Sequence, residues 1–203
     1  MQRHNLLWRD GEVFLIPNAL SPEIADQALQ QLLNEVDWRQ ESATLFGRRI
    51  TLPRLTAWYG EGAYSYSGIQ HEPAPMPPTL LALKKTAGQI AGTAFDSVLL
   101  NLYRDGRDSM GWHSDDEAML GTEPVIASLS LGGTRRFQLK PRHAKPADAP
   151  GSISVDLTHG SCLIMRGRCQ ACWRHQIPKT KKPVPPRINL TFRSLMPPTM
   201  ATN

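Results

Sequence analysis

One carboxylate and two imidazoles are spaced along this chain in a way that restricts its fold. His113 and Asp115 are two positions apart, and His175 lies far downstream. In an extended segment, residues i and i+2 project to the same side. His113 and Asp115 can therefore reach one ion together, and a later strand must fold back beside them to supply His175. The spacing favours a core in which strands distant in sequence are neighbours.

The same three side chains have the composition of a metal site. Two histidines and one carboxylate can occupy one triangular face of an octahedral ion, leaving the opposite face open for a co-substrate and dioxygen. This set is typical of non-haem Fe(II) oxygenases. An H-x-D step is common, and the chain has six histidines. On these residues alone, unrelated surface polar groups remain an alternative.

The segment Arg187–Arg193 alternates between polar and apolar residues with a period of two, as a strand does. The polar face carries Arg187, Asn189, Thr191 and Arg193, and the apolar face carries Ile188, Leu190 and Phe192. Two arginines on an inward face need anionic partners. A dicarboxylate such as 2-oxoglutarate would supply them through bidentate, charge-assisted hydrogen bonds. The alternative is a solvent-facing strand with two arginines.

A further strand is predicted over Ser97–Tyr103. Asn101 and Tyr103 share one face of it, shortly before His113. An amide and a phenol at these positions can hydrogen-bond a bound carboxylate, and the alternative is a strand-end tyrosine that packs by its ring.

In this order, the segments resemble the AlkB family of Fe(II)/2-oxoglutarate-dependent nucleic-acid dealkylases. The resemblance runs from about Leu45 to Arg193 and is closest to the duplex-DNA repair branch. The segments that carry it, besides the strands and ligands above, are Phe46-Gly47, Pro53-Arg54, Tyr64–Gly68, Asn101–Gly106 and His113–Glu117.

The resemblance implies roles for individual residues. His113, Asp115 and His175 would hold Fe(II), and Arg187 would bind the distal carboxylate of 2-oxoglutarate. Supporting co-substrate contacts would come from Asn101, Tyr103, Asn189, Thr191 and Arg193. Tyr64 and Tyr66 would line a lid over a flipped base, while Glu117, with Arg193 as its partner, would accept a hydrogen bond from an exocyclic amine. Phosphate contacts would come from Arg54, Arg135, Arg142, Lys179, Lys181 and Lys182.

Phe46 is expected at the tip of a hairpin over Thr44–Leu52, followed by the basic pair Arg48-Arg49. In the duplex-acting branch, a phenylalanine in this place enters the base stack and fills the gap left by the flipped base. The alternative is a side chain that folds back onto the lid as core.

The implied reaction is oxidative dealkylation of N-alkylated bases in DNA, of the 1-methyladenine and 3-methylcytosine type. It consumes 2-oxoglutarate and O2 and releases succinate, carbon dioxide and an aldehyde. Two alternatives are an enzyme of the same fold that acts on RNA, such as tRNA, or protein, and a basic nucleic-acid-binding module without catalysis.

Composition is consistent with this reading. The 203 residues suit a single domain, 1–203, and the net charge of +5 suits a polyanionic partner such as duplex DNA, single-stranded DNA or RNA. No apolar run is long enough to span a membrane, and no apolar run of signal-peptide type follows the N-terminus. Three cysteines without a signal peptide indicate free thiols in a cytoplasmic protein. In a bacterium we expect it to be associated with the nucleoid, and in a eukaryote to be nuclear. We expect a monomer.

Cys169 and Cys172 form a C-x-x-C step before His175. Such a step can be half of a zinc site or a redox pair. A structural zinc normally takes four ligands, but the only other cysteine is Cys162 and His175 is required for iron. Thiols near an iron–oxygen centre are also expected to be prone to oxidation.

The pattern of elements predicts an α+β fold with a double-stranded β-helix, or jelly-roll, core. A first strand is predicted over Glu12–Pro17, helices from Ser21 and over about Thr79–Thr93, and a loop over 60–78. Later strands are predicted over 97–103, 125–131, 134–140, 152–157, 161–166 and 187–193. The resemblance places a nucleotide-recognition lid at about 40–78 and the catalytic core at about 95–195.

Overall fold

The computed structural model describes residues 4–45, 48–60, 64–66, 69–71, 74–143 and 151–196. In this part of the chain, the helices are α1 (Pro22–Glu35), α2 (Pro78–Ala91) and the single turn α3 (Cys169–Cys172). The first seven strands are β1 (Glu12–Ile16), β2 (Ser42–Leu45), β3 (Arg48–Thr51), β4 (Leu55–Gly60), β5 (Tyr64–Tyr66), β6 (Ile69–His71) and β7 (Ser97–Tyr103). The remaining strands are β8 (Met110–His113), β9 (Ile126–Gly132), β10 (Arg135–Pro141), β11 (Ile153–Leu157), β12 (Ser161–Arg166), β13 (Trp173–Ile177) and β14 (Arg187–Arg193).

Two antiparallel sheets form the core of the molecule. The larger sheet has the strand order β1-β12-β9-β14-β7-β4, and the smaller one has the order β11-β10-β13-β8. Many neighbouring strands are far apart in sequence. The jelly-roll fold class is confirmed.

Strand β14 lies near the centre of the larger sheet, paired with β7 on one side and β9 on the other. All seven of its residues are buried. Its apolar residues pack into the core beneath the helices. Its polar residues line a cavity between the two sheets. The alternation in the sequence therefore separates a packing face from a chemical face, and the solvent-facing alternative is wrong.

The helices α1 and α2 cover the outer face of the larger sheet. Ser21 caps α1 by accepting a hydrogen bond from the Ile24 backbone N–H. One face of α1 buries Ala25, Ala28 and Leu32, and α2 buries Leu80, Leu83 and Ala87. Because the helices cover this face, the other face of the sheet is free to meet the smaller sheet.

A second apolar cluster fills the space between the two sheets. Ile126 and Leu163 come from the larger sheet, and Phe137, Leu139 and Trp173 come from the smaller one. This cluster fixes the spacing of the sheets, and therefore the distance between the strands that carry the site residues.

Gly11 is required where the N-terminal segment meets α3. Its φ is +128°, and an added Cβ would lie 2.5 Å from the Cys169 backbone nitrogen. We expect Gly11→Ala to lower the free energy of unfolding by about 1–3 kcal/mol, measured by urea denaturation. Gly92→Ala is the control, since Gly92 has a φ of +74° with nothing within 4 Å of its Cβ position. Equal losses in the two variants would show that the contact with Cys169 adds nothing.

The strand predictions from the sequence are confirmed to within one residue at each end. α2 ends earlier than predicted because Gly92 adopts a left-handed conformation and caps it. The prediction of a loop over 60–78 is wrong: β5 and β6 pair there, since Tyr-Ser-Tyr has strong β-propensity. β4 was not predicted. An extended segment at His113 and a later strand carrying His175 were expected, but no bounds were predicted for the strands β8 and β13 that fill these places.

Two strands of the larger sheet, β1 and β4, lie outside the range of 95–195 predicted for the catalytic core. β4 falls inside the range predicted for the lid but belongs to the larger sheet, where it pairs with β7. β1 lies outside the range 95–195 and pairs with β12 in the same sheet. The predicted hairpin over Thr44–Leu52 is present as the pair β2 and β3. Phe46 lies outside the described residues. Within the described residues, no helix has the length and apolar character needed to cross a bilayer.

Candidate metal and co-substrate site

The three predicted metal ligands meet at one end of the smaller sheet. His113 is the last residue of β8, and it lies opposite His175 of the neighbouring antiparallel strand β13. Asp115 follows two residues beyond the end of β8. Their ligand atoms all lie within 4.8 Å of one another. The structure therefore brings together the residues that the H-x-D step and the distant histidine predicted.

Hydrogen bonding fixes which nitrogen of His113 faces the site. Its Nδ1 lies 2.8 Å from the Gly111 carbonyl oxygen, which requires Nδ1 to carry the proton. The other nitrogen, Nε2, lies 3.7 Å from Asp115 Oδ1. A histidine that donates from one nitrogen presents the lone pair of the other, which is the usual arrangement of a metal-binding imidazole.

Both histidines are held in the neutral form that binds metals. Burial lowers the pKa of His113, and the nearby carboxylate of Asp115 offsets this only in part. Burial, followed by repulsion from His113, lowers the pKa of His175 to about 3. At neutral pH neither ring needs to lose a proton before it can bind a cation.

Asp115 is a buried carboxylate with one oxygen still available. Its Oδ2 lies 2.9 Å from Arg193 Nη2, and both side chains are only 2% exposed. In the described part of the chain, Oδ1 accepts no hydrogen bond. Burial alone would raise the pKa of Asp115, but the positive charge of Arg193, with further contributions from the two histidines, outweighs it and lowers the pKa. An ionised oxygen beside two neutral imidazoles fits Fe(II).

Arg187 is a buried cation that fits the co-substrate. Its side chain is 1% exposed, and Nη2 donates to Ser130 Oγ at 2.9 Å. Among the described residues, its Nε and Nη1 have no hydrogen-bond partner, and no carboxylate pairs with it. Burial lowers its pKa to about 10, while Tyr103 counteracts this. Arg187 therefore remains charged and can receive a carboxylate of a ligand.

A cavity between the sheets connects the metal ligands to Arg187. All nine predicted metal and co-substrate residues line it: Asn101, Tyr103, His113, Asp115, His175, Arg187, Asn189, Thr191 and Arg193. Their roles in binding stay predictions, but their location in one cavity is what those roles require.

Hydrogen bonds within the protein already engage Asn189, which limits what it can offer to a co-substrate. The two amide hydrogens of Asn189 are directed at Ser128 Oγ, at 2.7 Å, and the Leu129 carbonyl, at 3.1 Å. Thr191 Oγ1 donates to Asn189 Oδ1 at 3.2 Å. Asn189 therefore holds β14 to β9, and a co-substrate would have to displace one of these bonds to receive one from Asn189.

Arg54 and Arg135 are wrong as surface phosphate contacts, because both are buried. Arg54 donates from Nε to Asn101 Oδ1 at 2.7 Å, which leaves the amide nitrogen of Asn101 as the donor for a ligand. Arg135 donates to the carbonyls of Asp105, Asp108 and Pro178. Its guanidinium therefore connects the loop after β7 to the loop after β13.

The other predicted substrate residues are placed as follows. Lys179, Lys181 and Lys182 are exposed in the loop between β13 and β14, so their positions permit phosphate contacts. Arg142 is partly buried and pairs with Asp116. Glu117 precedes a one-turn 3₁₀ helix over Ala118–Leu120. Arg193, which was predicted to be the partner of Glu117, forms an ion pair with Asp115. Tyr64 and Tyr66 lie on β5.

The structure also places functional residues that the sequence did not predict. Ser128 and Ser130 of β9 hold Asn189 and Arg187 in place. Gln170 of α3 accepts a hydrogen bond from the Asp115 backbone N–H at 2.9 Å. The sequence signal that could have identified Ser128 and Ser130 is their alternation with apolar residues in β9. This pattern is too common in strands to indicate a functional role.

The structure weakens two of the alternatives for the cysteines: a zinc site, and an oxidation-prone thiol at Cys169. Within the described ranges, the only group of three or more His, Cys, Asp or Glu side chains that could hold a metal is His113, Asp115 and His175. The zinc alternative is therefore not supported. Burial, followed by the charge of Asp115, raises the pKa of the Cys169 thiol to about 12. Cys169 therefore stays protonated, which makes it a poor target for oxidation.

Comparisons with known proteins agree with this site. Residues 12–193 match the model of the 2OG-Fe(II) oxygenase superfamily. The chain is 43% identical over 194 residues to the human alpha-ketoglutarate-dependent dioxygenase alkB homolog 3, covering 92% of this chain and 67% of that protein. It is 34% identical over 180 residues to the human DNA oxidative demethylase ALKBH2, covering 85% of this chain and 69% of that protein.

A solved structure shows the same fold. The structure of OsALKBH1 superimposes with a TM-score of 0.64 at 17% sequence identity, covering 93% of this chain and 98% of that chain. Identity is higher to the alkB homolog 3 relative than to the ALKBH2 relative. With the family match across 12–193 and the His-Asp-His site in place, the chain belongs to the 2OG-Fe(II) oxygenase superfamily and, within it, to the AlkB family of Fe(II)- and 2-oxoglutarate-dependent dioxygenases.

Proposed function

We propose that this dioxygenase removes N-alkyl groups oxidatively from DNA bases of the 1-methyladenine and 3-methylcytosine type. The observation that carries the proposal is a single cavity lined by the three possible metal ligands and by Arg187. Arg187 is buried there, and among the described residues no carboxylate pairs with it. The similarity to a protein named DNA oxidative demethylase supports the choice of reaction and of DNA.

When bound, Fe(II) and 2-oxoglutarate supply the oxidation: the co-substrate is decarboxylated to succinate, O2 is consumed, and an alkyl carbon is hydroxylated so that an aldehyde leaves. The chain's own residues organise this site. His113, Asp115 and His175 would hold the metal, and Arg187 would fix the far carboxylate of the co-substrate. Arg193 neutralises Asp115, and Asn101 presents an amide N–H to the cavity. The burial of Asp115, His175, Arg187 and Arg193 excludes water from the reacting groups.

The charge on the surface supports a nucleic-acid substrate. Lys179, Lys181 and Lys182 are exposed on one loop, which is anchored by a hydrogen bond of 2.8 Å from the Thr180 N–H to the Gly106 carbonyl. Lysines on an anchored loop can hold a phosphate backbone in a fixed orientation. A base inside a duplex would have to leave the stack to reach the buried metal ligands.

A second candidate is an enzyme of the same reaction type that acts on RNA. The relatives with the higher identity are named only as dioxygenases, without a substrate. The choice between DNA and RNA therefore rests on the ALKBH2 relatives alone.

Mass spectrometry of defined oligonucleotides tests the proposal. Duplex DNA, single-stranded DNA and RNA, each with one 1-methyladenine or 3-methylcytosine, would be incubated with the protein, Fe(II) and 2-oxoglutarate. We expect loss of the methyl mass from DNA together with an equal amount of succinate. Demethylation of RNA with none of DNA would favour the second candidate. Succinate formation without demethylation of any strand would refute both.

A preference for duplex DNA would depend on Phe46, as the sequence predicts. We expect Phe46→Ala to lower activity on a methylated duplex much more than on the same lesion in a single strand, because filling the gap left by a flipped base offsets the cost of unstacking it, a few kcal/mol. The measurement is the ratio of initial rates on the two substrates. An equal loss on both would indicate a folding role, and no loss on either would exclude the wedge.

A further inference from the structure

The turn α3 contains a buried amide that the proposed chemistry does not use. α3 lies between β12 and β13, the strand that carries His175. Its second residue, Gln170, is 1% exposed. A buried carboxamide must satisfy several hydrogen-bonding groups. What it contacts therefore indicates what it does.

Both ends of the Gln170 side chain are engaged. The carbonyl oxygen Oε1 accepts from the Asp115 backbone N–H at 2.9 Å, and Nε2 donates to Met165 Sδ at 3.4 Å. A backbone N–H can only donate, so the oxygen of the amide must face Asp115. Gln170 is thus held in one orientation against the backbone of a metal ligand.

A second hydrogen bond joins the same two segments. Ser114 Oγ donates to the Trp173 carbonyl at 2.7 Å. Ser114 lies between His113 and Asp115, and Trp173 lies two residues before His175. The Gln170 and Ser114 bonds therefore connect the stretch that supplies two ligands to the stretch that supplies the third.

The N-terminal segment supports α3 from the other side. Trp173 Nε1 donates to the Arg9 carbonyl at 3.1 Å, and the ring of Trp8 packs edge-on against that of Trp173 at 4.6 Å. Gly11 packs against Cys169, close enough that an added Cβ would overlap it. α3 therefore has little freedom to move away from Asp115.

We propose that Gln170 and the Ser114–Trp173 hydrogen bond together position the metal site. Gln170 is the positioning residue that acts on Asp115 itself. It fixes the backbone of Asp115, which lies beyond the end of β8 and so receives no support from that strand. With the backbone fixed, one carboxylate oxygen meets Arg193 while the other stays directed at the metal position. In this arrangement, Cys169 and Cys172 flank Gln170 as packing residues of the turn.

The test uses Co(II) as a probe, because Co(II) binding has an absorption signature and requires neither substrate nor turnover. Gln170→Met keeps the length and volume of the side chain and removes the acceptor. We expect its affinity for Co(II) to fall about 10–100-fold, the usual cost of losing a group that orients a ligand, with a changed visible spectrum. An unchanged affinity and spectrum in folded Gln170→Met would overturn the proposal.

Controls separate positioning from general stability. Gln31→Leu also removes a glutamine that hydrogen-bonds, since Gln31 accepts from Thr79 Oγ1 at 3.0 Å, but it lies in α1. It should bind Co(II) as the parent protein does. If Gln170→Met fails to fold, Ser114→Ala decides: it breaks the other bond between the two segments and should also weaken Co(II) binding, whereas parental affinity would overturn the proposal. Since no nucleic acid is present, the outcome is independent of the proposed substrate.

Discussion

Replacing His175 with alanine is expected to reduce succinate formation to the level of the metal-free protein, even at saturating Fe(II). In the described part of the chain, His175 supplies one of three side-chain ligands that meet in the cavity. The alanine variant keeps two protein ligands, which are too few to retain the ion in competition with hydration by water. Succinate and Fe(II) binding can be measured together on the purified variant. His143→Ala is the control, because His143 is an exposed histidine outside the cavity. Turnover in His175→Ala above the metal-free level would remove His175 from the metal site.

The two remaining ligands are expected to differ in what they do to stability. His113→Ala should abolish turnover with little change in melting temperature, since His113 is partly exposed. Asp115→Ala should abolish turnover and also destabilise the fold by about 3–5 kcal/mol, because it breaks a buried ion pair with Arg193. Thermal unfolding of the metal-free variants measures the difference. Equal melting temperatures would show that the Asp115–Arg193 pair does not support the fold.

Arg187→Ala is expected to raise the apparent KM for 2-oxoglutarate by on the order of a hundredfold. The variant loses a charge-assisted hydrogen bond and leaves a ligand carboxylate without a partner in a buried site, a cost of about 2–3 kcal/mol. Each 1.4 kcal/mol corresponds to about a factor of ten. A co-substrate titration monitored by succinate measures the effect. Arg136→Ala is the control, since Arg136 forms an exposed pair with Asp156 on a neighbouring strand.

Arg187→Lys should recover only part of the lost affinity. An ammonium group retains the charge but does not reproduce the planar fork of a guanidinium. A lysine has a single terminal nitrogen, so it cannot bind the distal carboxylate through a guanidinium fork and also keep the 2.9 Å bond to Ser130 Oγ that fixes the orientation of Arg187. Full recovery would mean that charge alone binds the distal carboxylate, and an unchanged KM in Arg187→Ala would mean that another residue binds it.

The parts of this site that were predictable from the sequence are those with short-range signatures. The alternation over Arg187–Arg193 predicted which face of β14 would carry polar groups, and the H-x-D step predicted two ligands. β8 was not predicted, because Met-Gly-Trp-His has no clear alternation and contains a glycine. It is held by pairing with β13, a contact between residues far apart in sequence.

Buried arginines show why the remaining roles could not be predicted. In the sequence, Arg135 looks like any basic residue on a protein that binds nucleic acid. The carbonyls that satisfy it belong to Asp105, Asp108 and Pro178, which are brought together only by the tertiary fold. Gln170 is a similar case, because its partner Asp115 is distant in sequence.

The position of β14 has a consequence for biosynthesis. It is the last strand of the described chain, yet it pairs with β7 and β9 within the larger sheet. Until the ribosome has released residues 187–193, β7 and β9 each lack a partner on one side, and unpaired edges of this kind promote aggregation. The larger sheet can therefore close only after residues 187–193 have left the ribosome. A nonsense mutation shortly before Arg187 would leave β7 and β9 without the strand that joins them. The product would be a substrate for chaperones and proteases rather than a smaller folded domain.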